Sequence, residues 1–400
     1  MLDGKPLART SLAGCLLWLA LVAAACSAPP APAAPPEQPL ASQQPIGQLE
    51  VFAKLGGYMP TGIAVSRDNR VFLSFPRWDD AMIYTVAELK TNGAVKAYPD
   101  LTANQPDPDR AAQSLYSVQS VVVDARNRLW LLDTGRIQSR PASPGGPKLV
   151  AVDLDTDAVV KSIAIPPDQL GPDSYLNDVC IDLSQGAEGW AYVTDSGRGG
   201  LIVVDIASGK VLHRLQDDPS SRPADVVLVA EGRPLCAQPS PEAAPAPVQA
   251  ATDGIALSPD GRTLYYCPLT GRRLYSAPAG VLRDAALSEK ELAAQVKDVS
   301  PKPATDGMVM DDKGRLYLTA FEHNAIMRRL PSGIFETVAE DPRLLWPDSL
   351  AIGPDSYLYV TSNQLNRQAK FNRGQDLRAR PFLIFRTKID AGPVLLAPPG

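Results

Sequence analysis

The residues of this chain with the clearest chemical potential are acidic and amide side chains that directly precede short apolar runs. Asp253 and Asp306 each stand before such a run, and each is followed at once by a glycine. Asn177 and Asp348 lead the polar pairs before two other runs. Two carboxylates that lie close together repel each other unless a cation, a cationic ligand or a proton lies between them. The pattern therefore indicates a site for a cation such as calcium or for a small amine.

These residues belong to a sequence motif that the chain repeats six times. Each copy consists of a polar pair, an apolar run, an Asp/Asn/Gly turn, and a second run rich in Tyr, Trp, Leu and Val. The second residues of the pairs are numbers 62, 120, 178, 254, 307 and 349, so the copies lie 58, 58, 76, 53 and 42 residues apart. A propeller blade needs roughly 40 to 50 residues, and the longer spacings leave room for loop insertions. The repeat predicts an all-β fold, a six-bladed β-propeller.

The two ends of the repeated region predict how the ring closes. Residues 48–55 alternate between apolar and polar before the first copy, and residues 382–389 form a β-rich run after the last copy. We expect both runs to join the sixth sheet, because this pairing removes an open sheet edge. The segment 285–296, which opens on Leu287-Ser288-Glu289, is the helix that we expect, as a surface decoration.

The topology predicts which side chains meet at one end of the central channel. If each polar pair begins an innermost strand at one face of the ring, the loops that follow the second strands share that face. Loops on a rigid scaffold are common binding sites. The candidate ligand-binding residues on this face are Arg77, Trp78, Asn177, Asp253, Asp306, His323, Asp348 and Asn363. An aspartate before a strand also commonly caps its own turn, and this alternative stays open.

The N-terminus predicts export rather than structure. Residues 1–25 have the basic start and short apolar stretch of a signal peptide, and Cys26 follows small residues as in a bacterial lipoprotein. We expect lipidation at Cys26, with ordinary cleavage near Ala25 as the alternative. A Pro/Ala-rich tether at 26–47, the propeller at 48–390 and a tail at 391–400 complete the domain organisation. The protein is expected outside the cytoplasm, secreted or periplasmic, held to a membrane only by the lipid.

Composition excludes some functions. The formal net charge of −5 argues against nucleic acid as a partner. No Gly-rich phosphate loop, CxxC pair, HExxH motif or recognisable nucleophile pattern occurs, which disfavours a nucleophilic hydrolase. After the signal peptide and Cys26, three cysteines remain, and Cys236 and Cys267 flank a Pro-rich insertion where an oxidising compartment would allow them to pair. We expect a monomer.

Three segments resemble the yellow/major royal jelly protein family. They are RVFLSFPRWDD at 70–80, LWLLDTG at 129–135 and LWPDSLAIGPDSYLYVTSNQLNR at 345–367. The resemblance implies a six-bladed propeller and an extracellular location. It also implies a range of activities, because members extend from ligand-binding proteins to melanin-pathway enzymes that act on dopachrome-like compounds.

A second resemblance is to the SMP-30/gluconolactonase/regucalcin propellers, through YLND at 175–178, DGIALSPDGRTLY at 253–265 and DGMVMDDKGRLYLT at 306–319. It implies a metal set in which Asp306 matches an aspartate ligand, Asp253 replaces an asparagine, and Asn177 stands on the substrate side. Thr61 occupies the place of the family's glutamate, which puts lactonase activity in doubt. Calcium, with its oxygen ligands, is the cofactor that this set would hold.

Two functions follow as expectations. The first is a propeller that binds a small polar or amine-bearing ligand at the channel mouth. The alternative is a divalent-cation-dependent enzyme, either a lactone hydrolase or an isomerase of dopachrome-like compounds. The missing glutamate favours binding over catalysis.

Overall fold

Six four-stranded sheets dominate the computed structural model, which describes residues 44–78, 82–138 and 140–398. Within each sheet the neighbouring strands are antiparallel. Each innermost strand contacts the innermost strands of both adjacent sheets, and the first contacts the sixth, so the sheets are blades of a closed six-bladed β-propeller. The all-β prediction is confirmed. The predicted signal peptide, Cys26 and most of the tether lie outside the described residues.

Each blade consists of an innermost strand, two middle strands and an outermost strand. In that order, blades 1 to 3 are Ile63–Val65, Val71–Ser74, Val86–Leu89 and Val95–Ala97; Val118–Val123, Arg128–Thr134, Pro147–Asp153 and Ala158–Ala164; Leu176–Asp182, Trp190–Asp195, Leu201–Asp205 and Val211–Arg214. Blades 4 to 6 are Thr252–Leu257, Thr263–Pro268, Arg273–Pro278 and Lys297–Pro301; Met308–Met310, Leu316–Ala320, Ala325–Arg329 and Phe335–Glu340; Pro347–Ile352, Tyr357–Ser362, Phe382–Lys388 and Leu49–Leu55.

Burial falls from the axis to the rim. Every residue of Ile63–Val65 is buried, whereas most of Ala158–Ala164 is exposed. The core lies between adjacent blades, where the apolar faces of two sheets pack together. A sheet that is covered on both faces needs continuous apolar runs, and each copy of the repeated sequence motif contains such a run. Between the first two strands of blade 1 the chain reverses at Asn69, whose φ of 59° is a left-handed conformation that asparagine tolerates.

The two ends of the propeller pair as predicted. Leu49–Leu55 lies antiparallel to Phe382–Lys388, with Leu49 opposite Thr387 and Leu55 opposite Phe382. The sixth blade is therefore assembled from both ends of the domain, which locks the ring.

The remaining elements are short. Two hairpins in the insertion between blades 3 and 4 pair Val229–Ala230 with Arg233–Pro234 and Cys236–Ala237 with Ala246–Pro247. The α-helices are Ala279–Arg283 and Glu289–Ala293, and 3-10 segments occupy Pro108–Arg110, Pro167–Gln169, Pro219–Ser221, Phe321–His323, Leu365–Arg367 and Ala369–Phe371. No helix among the described residues is both long and apolar enough to cross a membrane. Cys180, Cys236 and Cys267 are all free thiols.

Candidate functional site

Irregular strand starts position the polar pairs. The register between the first two strands shifts between Val118 and Ser120 in blade 2, and the same shift recurs at the polar pairs of blades 3, 4 and 6. Such bulges turn a side chain away from the ladder. A hydroxyl of the second strand then accepts the freed backbone N–H, as Thr194 does from Asp178 at 2.9 Å. The same bond recurs in three more blades, from Gly62 to Ser74, Asp306 to Thr319 and Ser349 to Thr361.

Two glycines let adjacent blades approach closely at this level. A Cβ on Gly254 would lie 2.5 Å from the carbonyl oxygen of Asp306, and one on Gly307 would lie 2.4 Å from that of Asp348. No real Cβ tolerates these distances. The glycine after each aspartate therefore allows blades 4, 5 and 6 to bring their carboxylates together.

Four aspartates form a group that we call the carboxylate cluster: Asp178, Asp253, Asp306 and Asp348. Asp253, Asp306 and Asp348 are 4%, 8% and 5% exposed, so the cluster is far less open than a solvent-filled mouth. Burial, followed by the charges of Asp178 and Asp348, raises the pKa of Asp253 well above its usual value. Burial and the charges of Asp348 and Asp253 do the same for the pKa of Asp306. This pair therefore retains a proton more readily than ordinary aspartates do.

The cluster has few hydrogen-bond donors. Oδ2 of Asp306 accepts the indole N–H of Trp346 at 2.7 Å. Oδ2 of Asp348 accepts the amide of Asn363 at 2.5 Å, so the structure joins these two predicted residues. Oδ1 of Asp253 is buried with no hydrogen-bond partner in the described part of the chain. A buried carboxylate oxygen without a donor carries a desolvation cost.

The other two members titrate near neutral pH. Burial raises the pKa of Asp348 to about 6, against the bonds from Ser349 and Asn363. Burial and the charge of Asp348 raise the pKa of Asp178 to about 7. At physiological pH, Asp178 is therefore divided between its acid and its carboxylate forms.

Asp178 also lines a cavity of about 220 Å³ that runs along the axis between the innermost strands. Its wall is largely apolar, with Val122, Ala256, Val309 and Ala351 among the lining residues. An engineered apolar cavity of about 150 Å³ binds benzene. The cavity thus offers room for one aromatic ring with a short arm, and Asp124 and Asp178 are the acidic residues of its lining.

A polar chain connects other mouth residues. The indole N–H of Trp78 donates to the hydroxyl of Tyr175 at 2.5 Å, and that hydroxyl donates to Oε1 of Gln119 at 2.8 Å. The charges of Asp253 and Asp348 reach Tyr175, so this chain lies close to the carboxylate cluster. The pKa of Tyr175 is raised, first by burial, and the phenol stays neutral.

Three predicted residues contribute differently. Arg77 donates its guanidinium to the backbone carbonyls of Tyr116, Met82 and Asn104, so it braces loops instead of facing a ligand. His323 is exposed at the end of Phe321–His323. Asn177 is buried beside Asp178, and its side-chain amide has no hydrogen-bond partner within the described ranges.

Sequence reasoning missed several parts of the site. Asp178 was open to interpretation as a cap, although it aligns with Gly62 and Ser120 as the second residue of a pair. Lys302 is buried near Asp253 and Cys267, and burial lowers the pKa of its ammonium, which donates to the carbonyls of Gly271 and Pro303. No local sequence pattern predicts that Lys302 lies near the carboxylate cluster.

The mouth face is covered by loops. Trp346 stacks on Phe321 at 4.1 Å between ring centres, and the apolar cluster around them includes Leu228 and Leu235 of the insertion. Glu322 accepts the backbone N–H of Val229 at 2.8 Å, which ties the same insertion to blade 5. The carboxylate cluster consequently lies beneath a packed layer and is not open to solvent at the mouth.

The described residues contain no preformed site for the predicted metal ion. In the ranges that the structure describes, no group of three or more His, Cys, Asp or Glu side chains is arranged to hold a metal ion. Thr61 stands at the place of the lactonase glutamate, and its hydroxyl donates a hydrogen bond to the backbone carbonyl of Gln119 at 2.9 Å. A cation held by Asn177, Asp253 and Asp306 stays a prediction.

Comparisons with known proteins agree on family and fold. The family model described as "Major royal jelly protein" matches residues 116–393. "Protein yellow" of Drosophila yakuba is 25% identical over 342 residues, covering 78% of this chain and 60% of that protein. "Protein yellow" of Drosophila melanogaster is 25% identical over 331 residues, covering 74% and 57%. The chain thus spans about 60% of the length of these relatives.

Solved structures show the same fold at low identity. A luciferin-regenerating enzyme superposes with a TM-score of 0.52 at 16% identity, covering 88% of this chain and 99% of that one. The gluconolactonase XC5397 of Xanthomonas campestris gives 0.50 at 13% identity, covering 86% and 89%. These likenesses support the propeller architecture and leave the chemistry to the site.

Proposed function

The chain belongs to the major royal jelly protein family, and we propose that it is an exported propeller that binds a small amine-bearing ligand in its central channel. The observation that carries this proposal is the carboxylate cluster, whose member Asp178 lines an apolar cavity and whose Asp253 has an Oδ1 that is buried and unpartnered among the described residues. A protonated amine supplies both the charge and the N–H donors that such a group lacks.

The cavity supports the choice of an organic cation over a bare ion. Its largely apolar wall would contact a hydrocarbon or aromatic body, while Asp178 offers the charged contact. Burial of each CH₂ group contributes about 0.8 kcal/mol, so the apolar wall adds affinity that a metal ion cannot use. The ligand that fits best has one ring and a short ammonium arm.

Titration calorimetry with 2-phenylethylamine and its neutral isostere 2-phenylethanol tests this proposal. We expect the amine to bind the wild type and to bind Asp253→Asn at least tenfold more weakly, because an amide cannot form the charge-assisted hydrogen bond that a carboxylate forms with an ammonium group. Asp298→Asn is the matched control, since Asp298 belongs to the same blade but is half exposed and pairs with Arg273. Equal affinity for amine and alcohol, or an amine affinity unchanged in Asp253→Asn, would sink the proposal.

A second candidate function is an isomerase of dopachrome-like compounds. It is favoured by the pKa of about 7 at Asp178 in the cavity wall, since a group that is half protonated at the working pH can both take and give a proton. Conversion of dopachrome by the wild type but not by Asp178→Asn would favour this candidate. The cation-dependent lactonase remains the other enzyme alternative, and calcium-dependent lactone hydrolysis lost in Asp306→Asn would select it.

The export route is part of the same proposal. A lipid at Cys26 would hold the domain at a membrane through the Pro/Ala-rich tether, as a monomer. Cys26→Ser should then move the mature protein from the membrane fraction to the soluble envelope fraction. Unchanged fractionation of this variant would instead favour ordinary cleavage near Ala25.

A further inference from the structure

The cavity end that lies away from the carboxylate cluster is lined by the C-terminal segment of the chain. Pro393, Val394, Leu395 and Leu396 all belong to the cavity wall, together with residues such as Arg67 at the far ends of the innermost strands. These four tail residues are not part of any blade.

The tail crosses the channel from blade to blade. The carbonyl of Gly392 accepts the N–H of Asp312 at 3.1 Å on blade 5, and Pro393 forms a bridge with Asp311. The carbonyl of Leu396 accepts the N–H of Leu183 at 3.0 Å on blade 3. All of these partners follow innermost strands, at the ends opposite to the polar pairs. The segment that begins in blade 6 therefore passes over the axis.

Side chains of the tail fill the channel end. Leu396 is 8% exposed and joins the core between blades 3 and 4, where a Cβ added to Gly261 would lie 3.2 Å from its Cδ1. Val394 packs against the same core. Leu395 is 46% exposed although it lines the cavity, so it lies between the cavity and solvent.

The two cavity ends differ in how firmly they are closed. At the mouth, Asp253, Asp306 and Asp348 lie beneath packed loops. At the other end, the closure is one short segment with two backbone hydrogen bonds and one bridge. A segment that few hydrogen bonds hold to the rest of the fold opens at low free energy.

We propose that Pro393–Leu396 is the removable end wall of the cavity, which admits the ligand and limits its length. The part that concerns ligand length rests on the proposed function, whereas the part that concerns access does not. With the wall in place, the roughly single-ring cavity accepts short ligands only. Without it, the channel opens at this face and longer ligands fit.

Cys180 reports access without any ligand. Cys180 is among the residues that line the cavity, whereas Cys267 is fully buried and is not. We would expose the full chain and a variant that ends at Gly392 to N-ethylmaleimide at one pH, and quantify the labelled Cys180 and Cys267 peptides by mass spectrometry. Because burial and the charge of Asp178 raise the pKa of the Cys180 thiol to about 12, its labelling is slow in both chains, and the ratio of their rates is the readout.

The expected result is that removal of the tail speeds Cys180 labelling at least tenfold and leaves Cys267 labelling unchanged. Equal Cys180 rates in the two chains would overturn the proposal, because the cavity would then be reached by another route. Faster labelling of both thiols would mean that truncation unfolds the blades. In that event the double variant Leu395→Ala, Leu396→Ala decides, with Leu377→Ala as control because Leu377 is similarly exposed at 44%.

Ligand length is tested with 2-phenylethylamine and 4-phenylbutylamine. We expect tail removal to shift the affinity ratio at least tenfold toward the longer amine. Absence of amine binding to either chain would contradict the proposed function, while the Cys180 rates would still decide on the end wall. Amine binding with an unchanged ratio would contradict the length limit alone.

Discussion

Two sets of buried aspartates lie on the same face of the ring and have opposite surroundings. Asp133, at the end of the second strand of blade 2, accepts backbone N–H groups from Tyr116, Ser117 and Gly135 and the ammonium of Lys148 at 2.8 Å. Asp253, four percent exposed, has an oxygen that accepts nothing from the described residues. Both aspartates are buried, and they differ in the number of hydrogen-bond donors around their carboxylate oxygens.

The difference separates carboxylates whose donors the fold supplies from those that we propose for ligand binding. Asp195 in blade 3 shares only part of the structural pattern: its Oδ1 accepts three backbone N–H groups, whereas its Oδ2 is buried without a hydrogen-bond partner among the described residues, 3.9 Å from Nε2 of His213. The carboxylate cluster instead carries more negative charge than its donors satisfy, and raised pKa values are the consequence. A fold retains such a costly group when a ligand or a proton completes it.

The largest expected effect is on the structural set. Lys148→Met removes the cation beside Asp133 in a pair whose side chains are 1% and 0% exposed. We expect the free energy of unfolding to fall by about 3 to 5 kcal/mol, because an unpaired buried charge is left behind. Urea denaturation measures this, with the exposed Lys54→Met as the control that changes little. A loss below about 1 kcal/mol would erase the distinction between the two sets.

The same kind of change in the cluster should act in the opposite direction. Asp253→Asn replaces a buried acid, whose ionised form is repelled by Asp178 and Asp348, with a neutral amide, so the ligand-free protein should gain about 1 to 2 kcal/mol at pH 8. The gain should accompany the loss of amine binding. Destabilisation of this variant by a similar amount would mean that Asp253, like Asp133, stabilises the fold.

The pH dependence has a defined sign. In the folded protein the pKa of Asp178 is about 7 and that of Asp348 about 6, both above the ordinary value of 3.8. Between pH 4 and 7 the folded state therefore binds more protons than the unfolded state, and the cluster's contribution to the free energy of unfolding falls as pH rises. Subtracting the profile of Asp178→Asn from that of the wild type should isolate a decline across this window. A difference that rises with pH would contradict the raised pKa values.

The smallest expected effect concerns one hydrogen bond. Trp346→Phe keeps an aromatic ring on Phe321 but removes the N–H that Asp306 accepts. Net loss of one such bond costs about 1 kcal/mol of stability, and the pKa of Asp306 should rise further because a bond that favours its ionised form is gone. Urea denaturation at pH 8 provides the value, and no change would indicate that the bond contributes little to orienting Asp306.

Much of the fold could be predicted from the sequence, because each blade repeats its own apolar run and turn. The closure of the ring followed from the two unpaired runs at 48–55 and 382–389. The predicted helix at 285–296 is shorter, since Ser288 forms a capping box with Glu291 and sets the start of Glu289–Ala293. The helix Ala279–Arg283 was not expected at all.

The site was only partly predictable, because the partners of loop side chains are tertiary. The positions of Asp253, Asp306 and Asp348 follow from the repeat, and so does the meeting of Asp348 with Asn363. The role of Arg77 does not, since the carbonyls that bind its guanidinium come from other loops. Nor does the covering of the mouth, which depends on how the insertion between blades 3 and 4 packs.

The most direct test of a ligand-completed carboxylate cluster is the melting temperature of the wild type and of Asp306→Asn, each with and without 2-phenylethylamine or calcium. A ligand at 100 times its dissociation constant stabilises the protein by about 2.7 kcal/mol. We predict that the amine raises the melting temperature of the wild type and that Asp306→Asn removes the rise while retaining a cooperative transition. An equal rise in both proteins, or no rise in either with amine or calcium, would show that these aspartates only cap their strands.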